Sequence, residues 1–524
     1  MAGHDALVDG VTARLRPLEI EANQAWWLSS TDVTEVHEQR RVHADLALRD
    51  ALADAAAFRD VRNALTGTPN EREERQLRLL HDRFLPQQIP ADLRAEIVRL
   101  EAKIDSTFNA FRGRIDGDDV DDNAILTILR TSRSTGERCS AWEAAKQVGA
   151  EVAGHVRELA RLRNHAARSL GFRDYFALAL ATAELGEDRL FATLDAVDRA
   201  TRAPFAQWKA DLDHTLAVRF GCTVDELRPW HYDDPFFQSA PGDDAVRLDE
   251  WLGDSDLEAL TVRTYDAIGL DVRPALERSD LQPRAGKSQH AFCIDVDREG
   301  DVRVLCNIVP NERWAETMLH EFGHAAYDLG TDPELPWLLR DMHALVTEGV
   351  AMLFGRLVHM PRWLTEVAGI ERADVEHAAS RLRATRRASL LVFARWVLVM
   401  TNFERALYAD PDSDHDTLWW DLVERYQLLH RPDDRHAPDW AAKIHLAVAP
   451  VYYQNYLYGE LVASQLQATL ERECRGLVDE PAAGKLLARR VFAIGHSVRW
   501  DRIIEQATGE PLGVGALATE VGTG

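Results

Sequence analysis

Two histidines four residues apart, His320 and His324, sit in the apolar stretch Thr317-Met-Leu-His320-Glu321-Phe-Gly-His324-Ala-Ala-Tyr327-Asp328. On a helix that spacing presents both imidazoles on one face, where they can hold a metal ion. Glu321 lies beside them, placed to hold a water at the metal. A tetrahedral catalytic zinc needs a third protein ligand and one open position. The following helix offers Glu348, in Leu345-Val-Thr-Glu-Gly-Val-Ala-Met-Leu. Its carboxylate lies among apolar neighbours, where an unpaired charge is costly and a metal would compensate it. The expectation is one zinc ion per chain, held by His320, His324 and Glu348.

The rest of the chain can build a large framework for such a site. Of 524 residues, 46% are hydrophobic and 28% charged, which excludes disorder. Lys and Arg total 61 against 86 Asp and Glu, a net charge of −25. That balance argues against nucleic acid or an anionic membrane as a partner, since both need a basic surface. No apolar run approaches the length of a membrane span, and the first ten residues carry no secretory pattern. Five cysteines, few and odd in number, fit a reducing compartment. A cytoplasmic location is therefore expected.

Helical periodicity runs through 36–65, 70–113 with a break near Pro86 and Pro90, 140–170, 173–183 and 186–219. The acidic stretch 114–123 reads as a solvated turn region. A loop with three prolines at 228–246 marks a boundary between an N-terminal helical half, 1–227, and a metal-binding half, 228–524, the two forming one unit. Helices resume at 248–270. Residues 289–308 carry two β-rich runs around Arg298-Glu-Gly-Asp301, a hairpin signal. A two-residue turn at Glu299-Gly300 would set Cys293 across from Cys306, both expected as free thiols. Asn311 caps a helix ending near Gly330. Further helices are expected at 337–359, 373–407, 415–430, 438–473 and 483–507, with a loose tail after Thr508.

The site segment, His-Glu-x-x-His followed by 23 residues and Glu348, resembles the zinc site of peptidase family M2, the angiotensin-converting enzymes and their bacterial relatives. The related M3 oligopeptidases usually have a slightly longer spacer. His290-Ala291 before the hairpin is similar to the family's His-Ala edge strand, which binds the substrate backbone. Lys443-Ile-His445 resembles its Lys-x-His pair, and Tyr453-Gln-Asn-Tyr456 its Tyr-x-x-Tyr. That last match needs one inserted residue, so Tyr452 rivals Tyr453. The resemblance runs from about residue 20 to 515 and is specific from 289 to 460. It implies a mainly α fold, two helical halves around a deep central channel with one small sheet at the site. Glu321 is then the general base acting on a water at the zinc, and Tyr456 the oxyanion donor. His290 and His445 bind substrate carbonyls, and Lys443 with Tyr453 holds a C-terminal carboxylate. Gln238 is a weaker candidate for the same carboxylate.

The chain departs from the family pattern at three places. Met352 stands where the family has an Asp supporting a zinc histidine, and Asp328 is too close in sequence to assume as its replacement. Asn455 precedes Tyr456 where chloride-activated enzymes carry Arg, so chloride activation is not implied. Gln289 and Asn307 stand where the animal enzymes have a disulfide. The implied function is a zinc metallopeptidase of the gluzincin type acting on short peptides, most simply a dipeptidyl carboxypeptidase, with an oligopeptidase as the near variant. The alternatives are a hydrolase of the same fold acting on a non-peptide amide in biosynthesis, and an inactive zinc-holding scaffold that only binds peptides.

Overall fold

A computed structural model of the chain describes residues 2–241, 248–288 and 290–522. The end of the proline-rich stretch 228–246, and Gln289, lie outside the described residues. The fold is mainly α, with two short antiparallel hairpins among the described residues. The chain forms two compact units, each assembled from separated stretches. The first comprises Met1–Gln88, Asp244–Arg383 and Tyr458–Leu517, and the second Ile89–Asp243, Ala384–Leu457 and Ala518–Gly524. The boundary read between residues 227 and 228 falls inside the second.

In the first unit, the helix Ala2–Thr31 packs Val8, Val11 and Leu15 onto Leu52, Val61, Leu77, Leu80 and Phe84, with Trp337 closing the cluster. Asn70 and Glu73 form a reciprocal capping box that starts the helix Glu71–Phe84. The helix Glu312–Gly330 begins where Asn311 accepts from the backbone N–H of Trp314 at 2.8 Å. It runs against the hairpin Phe292–Asp295 and Val302–Leu305. The buried Tyr265 hydroxyl donates to Leu319 O at 2.6 Å and ties the helix Leu257–Asp266 to it. The expected 337–359 helix is a 3₁₀ turn, then Ala344–Gly355, then a second 3₁₀ turn.

The hairpin register differs from the expectation. Cys293 faces Val304, and Phe292 faces Leu305, so Cys293 and Cys306 are not opposite one another. The connection is longer than two residues because aspartates organise it. Asp295 accepts from the N–H of Arg298 at 2.8 Å, and Asp297 accepts from Glu299 at 2.7 Å and Asp301 at 3.1 Å. Arg298 and Gly300 take positive φ values of 59° and 102°. These side-chain turns outcompete the tight two-residue turn that the Glu-Gly pair suggested. All five cysteines are free, as expected.

In the second unit, long helices Thr135–Ser169 and Glu187–Phe220 carry the packing. The proline-rich stretch is fastened to the first of them. Buried Arg138 donates to Trp230 O and to Asp233, both at 2.7 Å, and Trp142 Nε1 donates to Pro235 O at 2.9 Å. The acidic stretch 114–123 contains a small hairpin, Gly113–Ile115 with Asp118–Val120. The expected continuous helix over 438–473 is broken into Asp439–Ala442, His445–Val448 and Tyr453–Cys474, whose residues from Tyr458 onward count with the first unit. The break spans Ala449-Pro450-Val451, with Val451 at φ 55°. The tail is also corrected: Gly515–Gly522 is helical, because Leu517 and Val521, four apart, bury one face.

Candidate functional site

The first unit brings the motif histidines and Glu348 together. One ligand atom from each of His320, His324 and Glu348 lies within 4.8 Å of the others, and His320 Nε2 is 3.8 Å from Glu348 Oε2. A tetrahedral zinc with bonds near 2.0 Å separates its ligands by about 3.3 Å. Two imidazoles and a carboxylate this close need only small rotations to meet that spacing, so the donor set fits zinc. Burial and the neighbouring His320 hold His324 well below the usual histidine range, which keeps it neutral, as a ligand must be.

Close helix packing places Glu348. A Cβ on Gly323, inside the motif, would stand 2.9 Å from Ala351 Cα, so the two ligand-bearing helices cross at a glycine. Gly349, directly after the ligand, faces Val462: an added Cβ would meet its Cγ1 at 2.3 Å. At the helix end, Arg356 donates to Ser464 Oγ at 2.9 Å and Glu460 O at 3.1 Å. At its start, the His343 ring accepts from Leu345 N at 3.2 Å.

Glu321 is buried beside this cluster. Burial pushes its carboxyl up to about 7; His320 opposes the shift, Glu348 adds to it, and the backbone N–H of Cys293 donates to the carboxylate. The strand Phe292–Asp295 thus contacts the acid directly. Just ahead of that strand, His290 is exposed and Ala291 half-buried. Trp26 stacks on Phe292 with centroids 4.5 Å apart, and Asn23 donates to Val296 O at 3.1 Å, which holds the first helix against the hairpin.

Met352 and Asp328 are both elsewhere engaged. Met352 packs against Gly459, whose added Cβ would meet its Sδ at 2.9 Å. Asp328 receives the Cys293 thiol at 3.8 Å. His324 Nδ1 instead meets Thr347 Oγ1 at 2.6 Å, a contact with no signature in the sequence beyond a hydroxyl residue next to the third ligand position.

The second unit gathers the remaining candidates. Lys443 Nζ donates to Gln238 Oε1 at 2.8 Å, so the weakly supported Gln238 stands against the lysine. The ammonium also lies 5.2 Å from the Phe236 ring, 5.4 Å from Trp396 and 5.8 Å from Tyr453. Burial lowers Lys443 to about 8, with Asp234 opposing. Tyr453 is the tyrosine beside Lys443; its ring is 4.9 Å from His445 and 5.7 Å from Tyr456. Tyr452 packs on Tyr456 at 5.2 Å. Arg163, buried, donates to Leu446 O at 3.0 Å, and Glu404 accepts from Val451 N at 2.7 Å. These two buried groups hold the broken segment that presents Lys443, His445, Tyr453 and Tyr456, and sequence reasoning had no periodic signal for either.

Among the described residues no helix is long and apolar enough to cross a membrane. The family model of Peptidase family M3 matches residues 262–523, half of the 524-residue chain and the part that holds the His-His-Glu cluster. The family model described as Angiotensin-converting enzyme, Peptidase M2, matches residues 3–203. The motif region that resembles M2 in its spacing is thus covered by the M3 model, and the N-terminal stretch of looser resemblance by the M2 model. No curated protein matches the chain. The chain therefore belongs to the gluzincin-type zinc metallopeptidases that include families M2 and M3.

Proposed function

We propose that the protein hydrolyses short peptides from their C-terminal end, releasing dipeptides, with one zinc ion held by His320, His324 and Glu348. The observation that carries this reading is the His-His-Glu cluster with buried Glu321 beside it, in a chain of this peptidase class. When bound, zinc supplies Lewis acidity toward a scissile carbonyl and toward water. Glu321 accepts the proton of the attacking water at its carboxylate and delivers it to the leaving amine. Its place in a site of low polarity suits it to carry that proton between the two steps. Tyr456 donates its hydroxyl to the carbonyl oxygen as negative charge develops there. His290 and His445 hydrogen-bond substrate carbonyls, and Ala291 offers backbone groups to an extended peptide.

Exopeptidase action rests on the second constellation. Lys443, aided by Tyr453 and Gln238, is a fixed positive anchor for a free C-terminal carboxylate. The protein's charge of −25 repels acidic groups, so the anchor has to supply the attraction locally. The family resemblance implies an anchor two residues from the bond that is cut, and so release of a dipeptide. Product mapping by mass spectrometry tests this with matched free-acid and amidated peptides. Dipeptides should appear from the acid form and little product from the amide. Equal cleavage of both, or cuts scattered through the interior, would sink the carboxypeptidase reading and favour an oligopeptidase.

A further inference from the structure

We propose that Thr347 is the positioning residue of the metal centre, fixing the tautomer and orientation of His324 in place of a carboxylate. The inference rests on the zinc-ligand reading of the preceding section and adds to it a residue that neither the motif nor the family resemblance points to. His324 Nδ1 and Thr347 Oγ1 are 2.6 Å apart, which is hydrogen-bond distance. A ring nitrogen that ligates a metal must offer a lone pair, so the other must carry the proton. With Nδ1 donating to Thr347 Oγ1, Nε2 of His324 carries the lone pair that a metal would take.

The arrangement uses two consecutive residues of one helix. Glu348 supplies a ligand atom, and Thr347 steadies a ligand on the neighbouring helix. The two positions considered for a supporting carboxylate do not supply one: position 352 is a methionine packed on Gly459, and Asp328 is engaged by Cys293. A threonine oxygen is a neutral acceptor. It orients the imidazole without adding the negative charge that makes a carboxylate-backed histidine a more basic ligand. Zinc should therefore be held, but less tightly than in a carboxylate-supported site.

The test is zinc competition against a chelator of known affinity, on full-length wild-type protein and on Thr347→Val, Thr347→Ala and Thr347→Ser. Melting of each metal-free form serves as the control for folding. Valine keeps the shape and removes the hydroxyl; serine restores it. Loss of such a partner typically weakens metal binding about 10- to 100-fold, and a neutral partner belongs at about the lower end. Thr347→Val and Thr347→Ala should each bind zinc about tenfold more weakly, Thr347→Ser should return close to wild type, and the metal-free melting points should agree. Equal zinc affinity in wild type and both hydroxyl-free variants would overturn the proposal, as would a serine variant as weak as the valine one. Lost affinity that tracks a lowered metal-free melting point would assign Thr347 to packing and overturn it as well. Wild-type protein that takes up no zinc at His320, His324 and Glu348 would remove the metal-centre reading itself, an outcome separate from any difference among the Thr347 variants.

Discussion

Each residue proposed to act here has a bland alternative that its neighbours reduce. Tyr456 stands in a cluster of aromatic rings, where packing alone is the bland reading, yet it lies on the same helical turn as Tyr453, whose ring neighbours Lys443 and His445. Replacing Tyr456 with Phe removes one oxygen and keeps the ring. If its hydroxyl meets the carbonyl oxygen mainly in the transition state, kcat should fall about 100- to 1,000-fold with little change in KM. A steady-state comparison of the two proteins decides it; the same signature at Tyr452 or Tyr453 would mean the tyrosine pair is displaced by a residue. Lys443 gives a second test. Burial lowers its ammonium to about 8, so it is charged below that pH and neutral above it. KM for free-acid peptides should therefore rise above pH 8, by up to about tenfold per unit, while amidated peptides show no such rise. A flat KM profile for the acid form would detach Lys443 from carboxylate binding. At this scale the sequence was most readable where chemistry imposes a spacing. His320 and His324 are legible as a pair because a helix repeats every 3.6 residues, and Glu348 as a carboxylate set among apolar neighbours. Thr347, Arg163 and Glu404 are not, because a contact between separated helices leaves no period in the chain.

Among elements, glycines decide how closely the ligand helices approach. Gly349 faces Val462 so closely that an alanine Cβ would overlap it, at 2.3 Å from Cγ1. Alanine gains about 1 kcal/mol of helix propensity over glycine. Overpacking a tight interior contact costs about 1–3 kcal/mol. Gly349→Ala should therefore be destabilising on balance, by about 1 kcal/mol, and should weaken zinc binding by shifting Glu348. Denaturant melts of the single variant and of Gly349→Ala with Val462→Ala measure this, since the smaller partner should restore part of the loss. A single variant as stable as wild type would show that the two helices slide apart freely. Element positions along regular helices followed from periodicity and caps, as with Asn311. The misreadings sit where local side-chain bonding overrode pattern. Asp295 and Asp297 lengthened the hairpin turn and moved Cys293 opposite Val304. Pro450 and the left-handed Val451, whose N–H is held by Glu404, broke the expected helix over 438–473. In the tail, the small residues concealed the Leu517 and Val521 pair that folds it.

For the whole molecule, the mainly α class was readable from the length of the periodic stretches, whereas the composition of the two compact units was not. Each unit is built from pieces far apart in the chain, and only the folded contacts reveal which pieces join. The family matches divide along the chain, the M2 model over residues 3–203 and the M3 model over residues 262–523. The central claim is that the His-His-Glu cluster, with Glu321 as its base, breaks peptide bonds. Its most direct test is turnover of free-acid peptides by zinc-loaded wild type and Glu321→Gln, with bound zinc determined on the same samples. The amide fills the same space but cannot take the water proton at neutral pH. General-base catalysis contributes about 10²- to 10⁴-fold, so the variant should retain its zinc and lose at least about 100-fold in kcat. Near-normal turnover in a zinc-replete Glu321→Gln protein would contradict the account.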